Sequence, residues 1–318
     1  MIALTIFSAV LILGAFAPLT DSDHWVFRGQ DYFKQYYLLF ALAALGFYVL
    51  LDDFSWFNFV MMVLLVALVI YCVLSIIPFT FLGVKKVRKI TKDPHKEQLK
   101  LMIFNVYQYN EAYQKTLDTI REVNPDVLLL VETCSKWEKA LEGLNEVYPY
   151  GLKAVQENTY GMMLWSKKPL KSKEIHFIVK KDIPSMEVLM ELGGMPLRIF
   201  GLHPKPPAPG EAEYATNKDK ELIRTGKRLA KLEDKEARLL IGDLNDVAWS
   251  KSNMLFKKIT GMKDPREGRG FYGTFPTYLP LKIPLDHVFC SEELELIDFE
   301  VLGNIGSDHC PVVVSFQV

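Results

Sequence analysis

LMIFNVYQYNEAYQKTLDTIREVNPDVLLLVET, residues 101–133, reads as strand, helix, break and strand in succession. LMIFNVY at 101–107 has strand length, and EAYQKTLDTIREV at 111–123 has the apolar spacing of one helix face. Asn124–Pro125–Asp126 stops that helix, because proline disfavours helical backbone at the residue before it and brings no N–H of its own. VLLLVE at 127–132 is apolar at all but its last position, the mark of a strand covered on both faces. Such alternation builds an α/β fold.

The alternation continues toward the C-terminus. Strands are expected at 161–166, 174–180, 186–192 and 196–202, and a charged helix at about 215–234. RLLIGDLN at 238–245 follows, then strands near 284–290, 295–302 and 311–317. The stretches 161–202 and 271–318 contain little helix, so an α/β sandwich of two packed sheets fits better than one doubly wound sheet.

Toward the N-terminus the composition changes. Residues 1–20 carry no charge, 36–51 (YYLLFALAALGFYVLL) form a second uncharged run, and 57–83 a third. At ~1.5 Å per residue across a hydrocarbon core of ~30 Å, the third run spans easily and the first adequately. The second spans only by recruiting neighbours such as Tyr32 and Phe33. Met1–Ile2–Ala3 lacks the positive side chain that opens a signal peptide. The reading is therefore a transmembrane region at 1–84 with helices at about 1–20, 34–51 and 57–83. A basic and polar linker at 85–99 leads to a globular domain at 100–318. The basic run KKVRKITK at 85–92, with Arg28 and Lys34 in the first loop and a second loop, Asp52–Trp56, without bases, points the globular domain to the cytoplasm. The same basic run equally suits an anchor beside anionic headgroups.

The globular region holds 29 Lys+Arg against 31 Asp+Glu, so it lacks the basic excess of a protein built mainly to grip phosphate backbones. Cys72, Cys134, Cys290 and Cys310 show no CxxC spacing, and neither a disulfide framework nor a zinc knuckle is readable.

Polar clusters fall where expected strands end: Asn105 in IFNVY, Glu132 in LLLVET, His203 in FGLHP, and Asp243 with Asn245 in IGDLND. Asp286 in PLDHVF and Asp308–His309 in GSDHCP complete them. Singly, most have a bland reading: Asn105 and Asn245 as turn residues, Glu132 as a surface charge, His203–Pro204 as a strand end, Asp308 as a loop start. Together they combine hard oxygen ligands, which suit Mg²⁺, with histidines beside carboxylates, which suit proton transfer and charge stabilisation at phosphate. No HExxH or cysteine cluster favours zinc, and no nucleophilic serine with its own base is apparent.

The order Asn105, Glu132, His203, Asp243-x-Asn245, Asp286, Ser307-Asp308-His309 resembles the endonuclease/exonuclease/phosphatase superfamily, whose fold is deoxyribonuclease I-like. GDLND at 242–246 and GSDHCPV at 306–312 are its most specific pieces, and NVYQYN with NPDVLLLVET matches the first two motifs. The resemblance runs from about residue 100 to the C-terminus. It implies a metal-dependent phosphoester hydrolase using Mg²⁺, or Mn²⁺ as a substitute, with Glu132 as principal ligand, Asn105 beside it and Asp308 assisting. It implies that Asp243 orients or deprotonates the attacking water, and that Asn245, Asn105 and His203 meet the substrate. His309 then contacts the phosphate with Asp286 fixing its tautomer, and His203 stabilises phosphoryl oxygens or assists the leaving group. Asp243 and His309 stand as competing general bases.

DSDHWVFRGQDYFKQ at 21–35, LHPKPPAPG at 202–210 and GDLNDVAWS at 242–250 further resemble bacterial membrane proteins with three N-terminal helices, the teicoplanin-resistance-associated phosphatases among them. That branch implies a bacterial cytoplasmic membrane, an extracytoplasmic catalytic domain, against the charge pattern, and a lipid-linked phosphate, pyrophosphate or phosphodiester as substrate. An anchored site gains effective concentration toward lipid headgroups and none toward soluble nucleic acid. A membrane-bound nuclease is the alternative, and an inactive scaffold is disfavoured because clustered carboxylates repel one another without metal. Phe271, Tyr272, Phe275 and Tyr278 are candidates for an apolar lip facing acyl chains, or for loop packing. Lys205 is a candidate phosphate contact, or a solvated lysine.

Overall fold

The computed structural model describes residues 2–51, 55–232 and 236–318. Residues 52–54 of the expected acidic loop, residues 233–234 of the expected helix and Met1 lie outside these. The N-terminal helices are Ile2–Phe16 (α1), Trp25–Arg28 (α2), Lys34–Leu50 (α3) and Trp56–Ile76 (α4). With their flanking turns they form three helical runs, Ile2–Leu19, Trp25–Leu50 and Trp56–Phe79, of 18, 26 and 24 residues, each long and apolar enough to cross a membrane. Ala15, Ala41, Ala44, Leu65, Leu68 and Cys72 pack between them while large residues such as Leu13, Leu50 and Leu74 face outward. Small residues at the helix contacts and large apolar ones outside suit a lipid solvent.

Tyr32 and Phe33 fall within the second run, Trp25–Leu50, as expected. Tyr32 lies in a 3-10 turn, Gly29–Phe33, and turns toward the globular module. Beside it Lys34 is buried, paired with Asp31 at 2.9 Å and bonded to Ser75 at 3.3 Å.

The globular module contains β1 (Gln98–Asn105), α5 (Tyr113–Val123), β2 (Val127–Val131), α6 (Ser135–Ala140), β3 (Tyr150–Ala154) and β4 (Met162–Ser166). It continues through β5 (Leu170–His176), β6 (Ser185–Leu192), β7 (Met195–Gly201), α7 (Thr216–Leu229) and β8 (Ala237–Asp243). Last come α8 (Lys251–Thr260), β9 (Asp286–Cys290), β10 (Glu295–Val301) and β11 (Val312–Gln317). A six-stranded sheet has the order β10-β11-β1-β2-β4-β3, and a five-stranded one the order β5-β6-β7-β8-β9.

Period-two alternation explains why their central strands read as continuous apolar runs. Leu101 and Ile103 of β1 and Val127, Leu129 and Val131 of β2 point inward, against Leu197 and Ile199 of β7 and Leu239 and Ile241 of β8. The alternate residues Met102, Phe104, Leu128 and Leu130 face outward, where Ile120 of α5 and Trp137 of α6 cover them. On the other sheet Phe200 and Leu240 meet Leu222 of α7 and Phe256 of α8. The expected α/β sandwich is the observed fold.

Differences gather at the edges. The strand expected at 174–180 is β5, beginning at Leu170, because edge pairing with β6 follows backbone register rather than the apolar Phe177–Ile178–Val179. The edge strand β3 was not anticipated, nor were the short helices α6 and α8, whose buried faces are narrow: Trp137 alone for α6, and Ser252, Asn253 and Phe256 for α8. Residues 88–96, expected as linker, lie against β10: Ile90 N donates to the Leu296 carbonyl (2.9 Å), and Arg88 and Lys89 pair with Glu295 and Asp298.

Candidate active site

Strand direction gathers the polar residues. β1 and β2 run parallel, as do β7 and β8, so Asn105, Glu132, His203 and Asp243 all leave C-terminal strand ends. β9 and β11 run antiparallel to β8 and β1, so Asp286 and the Asp308–His309 loop enter at the same edge. Gly242 makes the approach of β7 and β8 possible. Its φ is +138°, and a Cβ there would lie 2.0 Å from the Leu202 carbonyl oxygen.

Asp243 is the hub. Its Oδ2 accepts from Asn105 Nδ2 (3.0 Å) and stands 3.5 Å from His309 Nε2 and 3.8 Å from His203 Nε2. Its Oδ1 accepts from the Asn245 backbone N–H at 2.8 Å. Asn105 Nδ2 also donates to Glu132 Oε1 (2.9 Å), and the Gln108 backbone N–H donates to Glu132 Oε2 (3.2 Å). His309 Nδ1 meets Asp286 Oδ2 at 2.8 Å, with the Phe275 ring centred 4.8 Å from the imidazole. Tyr107, Glu132 and Asn245 have left-handed backbone, with φ of 58°, 62° and 49°. Such conformations cost ~1–3 kcal/mol each in non-glycine residues and persist where surrounding contacts hold them.

Burial and charge set the protonation states. Burial pulls the His309 pKa down, but Asp286 and then Asp243 outweigh it and lift it to about 10. His203 is lowered to about 4 by burial, with Asp243 opposing, and its Nδ1 is buried without a hydrogen-bond partner. Glu132 is raised to about 7 by burial despite the bonds from Asn105 and Gln108. Burial also raises Asp308.

Asp243, Asp286 and His309 lie close enough together to hold a cation. With carboxylates beside both its nitrogens and its pKa lifted, however, His309 is an imidazolium donor rather than a ligand. Glu132 fits a cation better: a half-buried carboxylate that, among the described residues, has no ion-pair partner, beside an amide and a further carboxylate. Glu174, His176 and Glu187 form another group, but Arg198 at 2.6 Å and Arg228 at 2.7 Å already neutralise Glu187.

Of the expected residues, Asn105, Glu132, His203, Asp243, Asn245, Asp286 and His309 form this network, and Asn245 turns its amide to the Pro204 carbonyl (3.0 Å). The Asp308 carboxylate lies 3.3 Å from Ser307 Oγ, outside the Asn105–Glu132–Asp243 chain. Lys205 pairs with Glu211 at 3.1 Å beside the Tyr160 ring. Phe271, Tyr272 and Phe275 pack inward on Trp249, Phe299 and His309, leaving Tyr278 alone of the four aromatics largely exposed. Ser307, named in the expected motif but given no role there, ties the loop down by donating to the Asn105 carbonyl (2.7 Å) and accepting from His309 N (3.1 Å). Its signal was its place beside Asp308–His309. Tyr32, also without an expected role here, donates to the Asn245 carbonyl (2.6 Å).

An α/β sandwich with this polar edge defines a phosphoester hydrolase. The chain belongs to the Endonuclease/Exonuclease/phosphatase family, whose model matches residues 102–309. Among solved structures, the human Nocturnin catalytic domain with bound sulfate anion aligns with a TM-score of 0.58 at 16% identity, over 72% of this chain and 97% of that one. D. rerio TDP2 complexed with single strand DNA product gives 0.58 at 13%, over 70% and 99%. Sphingomyelinase C from Streptomyces griseocarneus gives 0.52 at 16%, over 69% and 99%. At these identities the likeness is one of fold. A comparison with curated protein sequences finds no match.

Proposed function

We propose that this chain is a membrane-anchored, Mg²⁺-dependent hydrolase of a lipid-linked phosphate, pyrophosphate or phosphodiester. One observation carries the reading: the apolar helices dock on the catalytic edge itself. Besides the Tyr32–Asn245 bond, Trp249 Nε1 donates to the Asp31 carbonyl (2.9 Å), and Tyr36 and Gln35 donate to the Leu281 carbonyl (2.8 and 3.0 Å). With those helices in a bilayer, the catalytic edge stands at the headgroup layer. Tyr278, Leu279 and Leu281 are exposed on the adjoining loop, and Leu279 shares an apolar hollow with Phe7, Phe33 and Phe40. This short lip is suited to acyl chains. The resemblance of residues 21–35, 202–210 and 242–250 supports a reading with the catalytic domain outside a bacterial cytoplasmic membrane, and a reporter fused after Val318 tests that side.

Glu132, with Asn105 and Asp308 assisting, would hold the cation, which when bound supplies Lewis acidity toward the phosphoryl oxygens. Asp243 holds the attacking water and takes its proton; the lifted pKa of His309 favours Asp243 as base, since an imidazolium has no lone pair to offer. His309, oriented by Asp286, donates to a phosphoryl oxygen as charge develops, and Asn245 positions the phosphate. His203, neutral above its lowered pKa, lies across Asp243 and hydrogen-bonds the phosphoryl group or leaving oxygen.

The test is turnover by detergent-purified protein on undecaprenyl pyrophosphate, a phospholipid panel and plasmid DNA, each with and without Mg²⁺. Mg²⁺-dependent release of phosphate or headgroup from a lipid, lost in His309→Ala, is expected. Cleavage of DNA alone, lost in the same variant, would establish the nuclease reading instead.

A further inference from the structure

A second cavity, of about 600 Å³, opens where the end of α4 meets α8. None of the catalytic residues lines it. Its floor is apolar, formed by Leu74, Pro78, Phe79 and Trp249. Lys86, Lys257, Lys258 and Lys263 stand around it, against a single carboxylate, Glu267.

Two features make this more than a crevice with charges near it. The third apolar run ends at Phe79, so the floor meets the rim where a bilayer's hydrocarbon gives way to headgroups. Leu74, 66% exposed, carries the floor onto the outer face of α4, the face that lipid tails would cover. The charges are also unevenly spent. Lys257 pairs with Glu267 and lies over the Phe79 ring at 5.4 Å, while Lys263 reaches Glu292 only at 3.8 Å. Among the described residues, Lys86 and Lys258 have no carboxylate within ion-pair distance.

We propose that this cavity holds one anionic phospholipid, its phosphate among Lys86, Lys258 and Lys263 and one acyl chain along Leu74, Pro78 and Phe79. Charge complementarity selects the occupant: a zwitterionic lipid brings a cation to a rim that already has an excess of them. The inference rests on the membrane reading and not on the substrate. Because Trp249 both lines the cavity and donates to Asp31, the bound lipid braces the junction between the helices and the catalytic loop.

Native mass spectrometry of the delipidated full chain, titrated with phosphatidylglycerol or phosphatidylcholine, tests the proposal by binding, so a failed substrate screen leaves it intact. One phosphatidylglycerol should be retained at a concentration at least ~10-fold lower than phosphatidylcholine. Lys86→Gln/Lys258→Gln/Lys263→Gln should erase that preference, while Lys85→Gln/Lys92→Gln should keep it. Met254→Trp, which fills the cavity and leaves its lysines in place, should reduce retention of both lipids. The proposal is overturned if wild type shows no preference, if the triple variant keeps it, if the control variant loses it equally, or if Met254→Trp binds as wild type. Thermal unfolding of each variant confirms that a folded chain is compared.

Discussion

Replacing Tyr32 with Phe removes a single hydroxyl from a residue in the juxtamembrane turn, and its effect should appear in the chemistry. That hydroxyl donates to the Asn245 carbonyl at 2.6 Å. Asn245 has left-handed backbone, its N–H donates to Asp243 Oδ1 (2.8 Å), and its side chain donates to the Pro204 carbonyl (3.0 Å). Tyr32 is therefore one of three hydrogen bonds that hold the Asp243–Asn245 turn against its own backbone preference. An acceptor left without its partner costs ~1–3 kcal/mol, comparable with the strain of a left-handed residue. If that loss falls on positioning, it lowers kcat by ~5- to 150-fold, at 1.36 kcal/mol per tenfold. KM should change less than twofold, because Tyr32 acts through Asn245 and does not itself meet the phosphate. Initial rates with bis(p-nitrophenyl) phosphate, a soluble phosphodiester, make the measurement independent of lipid access. Phe keeps the ring packing, so the thermal transition should move by only a few degrees. A kcat within twofold of wild type at unchanged stability would refute the idea that the membrane segment positions the catalytic turn.

Three further outcomes follow from the same geometry. Asp286→Asn takes away the nearest anion that lifts His309 toward 10; the His309 pKa measured by ¹⁵N NMR should fall, and kcat should drop ~10²- to 10⁴-fold. Glu132, held up at about 7 by burial, is protonated below that pH, so a cation must displace a proton to bind there. Apparent Mg²⁺ affinity from titrations of activity should thus weaken ~10-fold per unit as pH falls below 7 and level off above it; an affinity flat between pH 5.5 and 8 would contradict the assignment. Gly242→Ala drives a methyl against the Leu202 carbonyl in a backbone conformation that suits glycine. It should destabilise the module by ~2–4 kcal/mol in denaturant unfolding and abolish turnover.

Much of the catalytic edge was legible because its residues follow apolar strand runs directly: Asn105 ends β1, Glu132 follows β2 and Asp243 ends β8. Central strands buried on both faces carry a strong local signal, so β1, β2, β7 and β8 were foreseen within a few residues. The edge strand β3 was not, since it is stabilised by pairing with β4 on one side only and its residues are at most half-buried. The helix α8 carries Lys251, Lys257 and Lys258 and buries only Ser252, Asn253 and Phe256, too weak a period to stand out. The aromatic cluster at 271–278 left an apolar lip and loop packing both open for a related reason: composition marks a loop as apolar without saying which way each ring turns.

Local order along the chain was enough to determine the α/β sandwich, three runs able to cross a membrane, and the succession of polar residues that names the family. Those signals are carried by periods of two and 3.6 residues and by short motifs, which need no knowledge of distant neighbours. The tertiary structure alone brought the N-terminal helical segment into hydrogen-bond contact with the candidate catalytic edge. Tyr32 and Asn245 are 213 positions apart, and Trp249 and Asp31 are 218 apart. No period or motif links such pairs. They meet only when both sheets have closed and the helices have packed against their edge, where buried polar groups must find partners across the junction.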